Sequence, residues 1–347
     1  MRVSRFAWST ICAILIACLS PTRTTYGQAP AASWVPVGYI SHAKAAEKYA
    51  LVISVEHYEN FLSVDNALND GREISKALSA AGYTFVRFVP DPPNTDVILD
   101  RLDELLSTSR AASEPAVLTV FFAGHGYHTP FTNYLVPAKA KVSSLDTDSL
   151  PVSTIIRRIS PTKFTLGIVL LDACRTVRSF DGSNTSNGLT LNRPPGFTEQ
   201  KEDGVTVVSM AASANSSASS IGHMIPEDSP YSGALKQFLP MKSRSLDQLF
   251  DDVLSYVKQD THELQIPVQT KRAGTSRFYL RPTKKEDDAQ DDIWAKVMGS
   301  GPRLNCLKDY VNRYPVGRYV RDAQYLISQA PSLDATNESN CIVQESP

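Results

Sequence analysis

Val117-Leu118-Thr119-Val120-Phe121-Phe122-Ala123-Gly124-His125-Gly126 and Ile168-Val169-Leu170-Leu171-Asp172-Ala173-Cys174-Arg175 decide how this chain reads. Each is an unbroken apolar run of strand length that ends on polar, reactive residues. Continuous apolar strands belong to sheets covered on both faces, and parallel strands bring their carboxyl ends to one edge. The pattern predicts that His125 and Cys174, far apart in sequence, face a common crevice.

Further apolar runs extend the sheet to six strands: Ala50–Val55, Thr84–Val89, Val117–Ala123, Gly167–Leu171, Val205–Met210 and Arg277–Leu280. Helical periodicity fills the intervals. Ile74, Ala77 and Leu78 mark a helix over Asn69–Ala81 that Gly82 stops, Val97–Leu106 gives a second, and Ile155, Ile156 and Ile159 mark a third after Pro151. Ser245–Gln259 repeats apolar residues at Leu246, Leu249, Phe250, Val253, Leu254 and Val257. Alternating strands and helices predict an α/β fold with a mostly parallel sheet flanked by helices. Asp181–Gly204, directly after Cys174, has no sustained apolar period and reads as a long exposed loop.

At 347 residues and 42% hydrophobic content the chain is long enough for one large or two modest domains. Its 35 basic and 36 acidic residues are intermixed, so no electrostatic footprint for nucleic acid exists and no such partner is expected. Arg2 and Arg5 followed by the apolar Phe6–Leu19 read as an export signal, since the run is too short to span a bilayer comfortably. Two processing routes fit: cleavage after Thr25-Tyr26-Gly27, or a lipoprotein-type box Leu15-Ile16-Ala17-Cys18 that leaves Cys18 acylated and the protein membrane-anchored. The expected location is periplasmic or secreted.

Either route leaves Cys174, Cys306 and Cys341, an odd number in an oxidising compartment. Cys306 and Cys341, both C-terminal, are expected to pair and leave Cys174 reduced, with an entropic benefit of roughly 3 to 4 kcal/mol. The organisation expected is a signal over 1–27, a leader over 28–48, a catalytic domain over 49–281 with an exposed linker at 181–204, and a charged connector over 282–292. A helical pair over 293–330 and a tail over 331–347 complete it. The pair, outlined by Trp294, Leu304, Leu307, Tyr310, Val311, Ala323, Leu326 and Ile327, resembles part of a tetratricopeptide unit. One such unit cannot bury its own apolar face, so it is expected to dock on the main domain or on a protein partner.

Attack on an amide carbonyl needs a thiolate and a proton donor for the leaving amine, and one imidazole serves both needs. Cys174 and His125 suit these roles. Glycines beside His125 let the backbone approach a substrate closely, and the amides of Gly126 and Cys174 are the candidate oxyanion donors, each worth roughly 3 to 4 kcal/mol. Alone, each residue has a plainer reading, a buried small hydrophobe for Cys174 and a turn residue for His125. Together, separated by 174 − 125 = 49 residues, they support the catalytic one.

At this point the chain resembles the caspase-like cysteine peptidases, and the bacterial members and metacaspases more than animal caspases. The resemblance spans about Tyr49–Leu280 and rests on Phe122-Ala123-Gly124-His125-Gly126, Tyr134-Leu135-Val136-Pro137 and Leu171-Asp172-Ala173-Cys174-Arg175. Ser229-Pro230-Tyr231-Ser232-Gly233-Ala234-Leu235 and Gln265-Ile266-Pro267 follow in the family's order. It implies a caspase-like sheet of six mostly parallel strands, a His125–Cys174 dyad, Gly126 in the oxyanion hole, and 181–204 as the linker between subunit regions. Asp172 would bind an Arg or Lys side chain of the substrate, as metacaspases use an aspartate at the matching position. The second acid that metacaspases add falls near Asn215, where no charge stands. The plain alternative is that Asp172 caps the turn or helix after its strand. Arg193 and Lys201 in the linker are candidate self-processing sites.

No cofactor is expected. His57, His128, His223 and His262 lack metal-ligand spacing, although some metacaspases need calcium and Asp146 and Asp148 are candidate ligands for it. Protein or peptide substrates follow from the leading reading, an exported endopeptidase. A scaffold that keeps the fold and binds protein partners, and another α/β hydrolase or transferase using Cys174, remain as alternatives; the latter lacks the glycine frame of a nucleophile elbow.

Overall fold

In the computed structural model the described residues are 44–111, 115–129, 132–159, 165–174, 178–179, 189–190, 206–212, 218–270, 277–299 and 303–330. Along the chain they form β1 (Glu47–Ser54), α1 (Ala67–Ala80), β2 (Phe85–Pro90), α2 (Thr95–Ala111), β3 (Ala116–Thr129), β4 (Thr132–Leu135), α3 (Leu145–Asp148), β5 (Leu150–Pro151) and α4 (Val152–Ile159). Next come β6 (Thr165–Cys174), a short ribbon of β7 (Arg178–Ser179) and β8 (Leu189–Thr190), then β9 (Thr206–Met210), α5 (Pro230–Phe238), α6 (Leu246–Asp260), β10 (Val268–Gln269), α7 (Lys284–Gly299), α8 (Leu304–Arg313) and α9 (Val320–Gln329).

The strand order is β10-β9-β6-β3-β1-β2. Every pair from β2 to β9 is parallel, and β10 closes the edge antiparallel to β9. This is the mixed α/β architecture that the continuous apolar runs require: Leu51, Val52, Ile53, Val120, Phe121, Phe122, Val169 and Leu171 are buried at the centre. Two differences concern the strands. The sixth is Val268–Gln269, whereas Arg277–Leu280 makes a single bridge from Tyr279 to Ser245. The reason is anchoring: the Gln265 side chain binds the carbonyl of Ala211 at 2.9 Å, which delivers the residues just after it to β9. The histidine strand is also longer than its apolar run, because β4 and β5 pair beside Gly126–Thr129 and carry β3 beyond His125.

Local chemistry sets the helix ends. The α1 helix stops where Gly82 takes φ +82°, with Gly82 N–H bonded to Ser79 O at 3.0 Å and Tyr83 N–H to Leu78 O at 3.2 Å, the paired bonds of a Schellman turn. For α6, Ser245 and Gln248 form a reciprocal capping box. Pro230 opens α5 at a position where its missing N–H costs nothing, and Ser229 caps it.

The C-terminal region is three helices where the sequence suggests a pair. Residues Lys284 to Asp292 are the first turns of α7, not a connector, and α7 covers the apolar face of α8 and α9 through Ile293, Trp294 and Val297. Trp294 stacks on Tyr319 with 5.1 Å between centroids and meets Tyr310 edge-on. Val316 belongs to the main core, and Lys44 N–H bonds Arg318 O at 3.0 Å. Buried Cys306 is disulfide-bonded; Cys341, its expected partner, lies outside the described residues.

Candidate active site

The register of β3 against β6 sets Ala123 opposite Asp172 and His125 opposite Cys174, so the two residues at the heart of the sequence argument occupy neighbouring positions on adjacent strands. Both lie at the carboxyl edge of the sheet. Cys174 is described through its backbone as the last residue of β6.

His125 is 5% exposed and held on several sides. Its Nε2 stands 2.8 Å from the carbonyl of Leu62; since a carbonyl only accepts, Nε2 carries the hydrogen and Nδ1 is the basic nitrogen of the neutral ring. The backbone N–H of His125 donates to Tyr58 Oη at 2.7 Å, and the Tyr58 ring lies 4.6 Å from the imidazole, centroid to centroid. Its carbonyl accepts from Val136 N–H at 3.0 Å, which explains the Tyr134-Leu135-Val136 stretch as a brace for the histidine strand. Gly124 takes φ +147°, and a Cβ there would stand 2.7 Å from Tyr58 Oη and 3.1 Å from Val55 O. Glycine is required at this position both for backbone conformation and for space. Gly126 is part of β3 and pairs with Leu135.

Asp172 is buried, and its carboxylate accepts from Ser229 Oγ and, at 2.6 Å, from Ser232 Oγ. It does meet the start of a helix, but that helix is α5, not one that follows β6. Asp70 from α1 joins it there, also buried and accepting from Ser229 N–H at 3.1 Å. Desolvation drives both carboxyls well above the ordinary range, and repulsion by Asp172 pushes Asp70 further. Beside this pair, buried Asp228 accepts from Asn69 at 3.1 Å and from the Lys236 ammonium at 2.6 Å. Asp70, from α1, thus sets a second buried carboxyl beside Asp172, whereas the sequence around Asn215 carries none. Sequence reading missed it because an acid in the first turn of a helix reads as compensation for the dipole.

The remaining motif residues are supports. Tyr231 is fully buried and bonds Ser209 Oγ at 2.7 Å, fixing α5 on β9. Gln265 accepts from Ser219 N–H at 2.8 Å besides its bond to Ala211. Asp146 accepts from Tyr127 Oη at 2.9 Å, and Asp148 from Ser144 Oγ at 2.7 Å and Lys141 N–H at 2.9 Å. Both calcium candidates are therefore engaged locally, and no group of three metal-ligating side chains occurs among the described residues. Arg193 and Lys201 lie outside the described residues. No helix among those described is long and apolar enough to cross a membrane.

A family model of the caspase domain matches residues 47–279. The chain belongs to the caspase-domain family. The caspase domain thus takes in the whole six-stranded sheet and stops before α7, and it identifies a peptidase of the cysteine class acting on protein or peptide. Among solved structures the chain is similar to caspase-1 from Spodoptera frugiperda, at 16% identity and a TM-score of 0.46, over 67% of this chain and 88% of that one. None of the curated proteins matches.

Proposed function

We propose that the protein is an exported cysteine endopeptidase that cleaves after Arg or Lys. The observation that carries this reading is the pairing of His125 with Cys174 across β3 and β6, with His125 Nε2 bound to Leu62 O so that Nδ1 is the ring's proton acceptor. In the proposed reaction the imidazole takes the Cys174 proton, and the thiolate attacks the scissile carbonyl. The amides of Gly126 and Cys174 receive the developing oxyanion, and the imidazolium then protonates the leaving amine. Water, deprotonated by the same ring, hydrolyses the thioester and restores Cys174. The Leu62 carbonyl holds the ring orientation and stabilises the imidazolium through both steps.

Basic specificity is supported by Asp70 and Asp172, two carboxyls that share a buried site and of which neither is ion-paired among the described residues. A guanidinium or ammonium entering the site supplies that missing charge. Export is supported by the basic and apolar start of the chain and by the disulfide at Cys306, which suits an oxidising compartment.

Wild-type and Cys174→Ala proteins incubated with mixed peptide libraries test the reading. Cleavage after Arg and Lys by the wild type alone is the expected result. Equal silence from both, across pH and with calcium added, would sink it in favour of a scaffold. Fractionation of cells carrying the full chain checks export.

A further inference from the structure

The opposite end of the sheet carries charge that peptide cleavage does not use. Lys48 lies near the start of β1, and its ammonium donates to Ala81 O at 3.0 Å and to Leu280 O. These are neutral partners: no carboxylate lies within ion-pair distance of Lys48 among the described residues. Arg281 close by is in the same condition, donating to Pro240 O at 2.6 Å. Burial, and then repulsion by Arg281, lowers the Lys48 ammonium to about 8.

A cavity of about 60 Å³ opens beside Lys48, between the base of the sheet and the C-terminal helices. Arg277, Arg313 and Arg318 also line it, against the single carboxylate of Asp287. Arg313 and Arg318 are already paired, with Asp309 and Asp291. Lys48 is thus a lining cation with no carboxylate in reach, and Arg313 adds a second positive group whose partner, Asp309, stands outside the lining. With roughly 15 Å³ needed per water, the space suits about four waters or one tetrahedral oxyanion. A buried cation without a counter-charge is costly, and a bound anion removes that cost.

We infer that this cavity binds a small free oxyanion with the charge and size of phosphate, held by Lys48, and that the anion ties the C-terminal helices to the base of the catalytic sheet. Lys48 also stands at the C-terminal end of α1, where a cation is favourable in its own right. That role alone predicts no response to added anion, so the two are separable.

The test is thermal unfolding of the full chain in increasing inorganic phosphate, with ionic strength held constant by sodium chloride, together with phosphate titration by calorimetry. The expected result is a saturable rise in Tm and a measurable Kd for the wild type. Lys48→Met weakens that Kd at least tenfold, and Arg313→Gln, which leaves the Lys48 contacts to α1 intact, weakens it as well. Stabilisation no greater than that given by chloride, or phosphate affinity unchanged in both variants, overturns the inference. So does stabilisation by glycerol phosphate without any by inorganic phosphate, which would mark a site for an esterified group. None of these readouts depends on peptide cleavage.

Discussion

Replacing Asp70 with Asn tests the acid pair from two sides at once. The amide oxygen can still accept from Ser229 N–H, so packing against α5 is kept while one negative charge is removed from a buried pair. A cationic substrate side chain loses a desolvated, charge-assisted partner, and truncating such pairs costs roughly 2 to 4 kcal/mol, or about 30- to 900-fold in kcat/KM. The unliganded protein responds in the opposite sense. Because burial raises this carboxyl in the folded state, the fold binds more protons than the unfolded chain, and stability falls as pH rises from about 4 toward the raised value. Asp70→Asn removes that loss, so its Tm should exceed the wild type's at pH 8 and converge with it near pH 4. The assay pairs thermal unfolding across pH with kcat/KM for Arg, Lys and citrulline peptides of one sequence. Citrulline keeps the shape of arginine without its charge, and its cleavage should change little. A variant that cleaves Arg peptides as the wild type does refutes the pocket role; an unchanged pH dependence of Tm refutes the buried charge.

Other expected outcomes concern the frame around His125. Tyr58→Phe takes away the acceptor of the His125 amide and leaves a buried N–H unpaired, so stability should fall by about 1 to 3 kcal/mol and kcat more than KM, measured by denaturant titration and steady-state kinetics. Gly124→Ala forces a Cβ against Tyr58 Oη and Val55 O at φ +147°, and the purified variant should be inactive and unfold earlier on heating. Ser245→Ala removes a capping box far from the site; about 1 kcal/mol lost in urea titration with kcat/KM unchanged would set the baseline for purely structural substitutions.

The parallel centre of the sheet is legible in the chain because β1, β3, β6 and β9 are buried on both faces and need unbroken apolar runs. The positions of His125 and Cys174 follow from the ends of two of those runs. What escaped reading was set by distant partners. Asp70 acquires its burial and its charged neighbour from Ser229 and Asp172, on elements far along the chain. Leu62 acts through its carbonyl, which no side-chain identity encodes. The edge strand β10 is two residues long and owes its place to Gln265, so its own sequence carries almost no period. The charged residues that open α7 hide a helix whose apolar stripe begins only at Ile293 and Trp294.

One consequence follows from the length of β3. His125 sits inside a strand that is clamped to β6 on one side and, beyond it, to β4. The proposed proton carrier is thus built into the masonry of the protein. Whatever regulates the proposed dyad therefore has the sulfur or the rotamer of the ring to work on, since moving the His125 backbone would unzip the middle of the sheet.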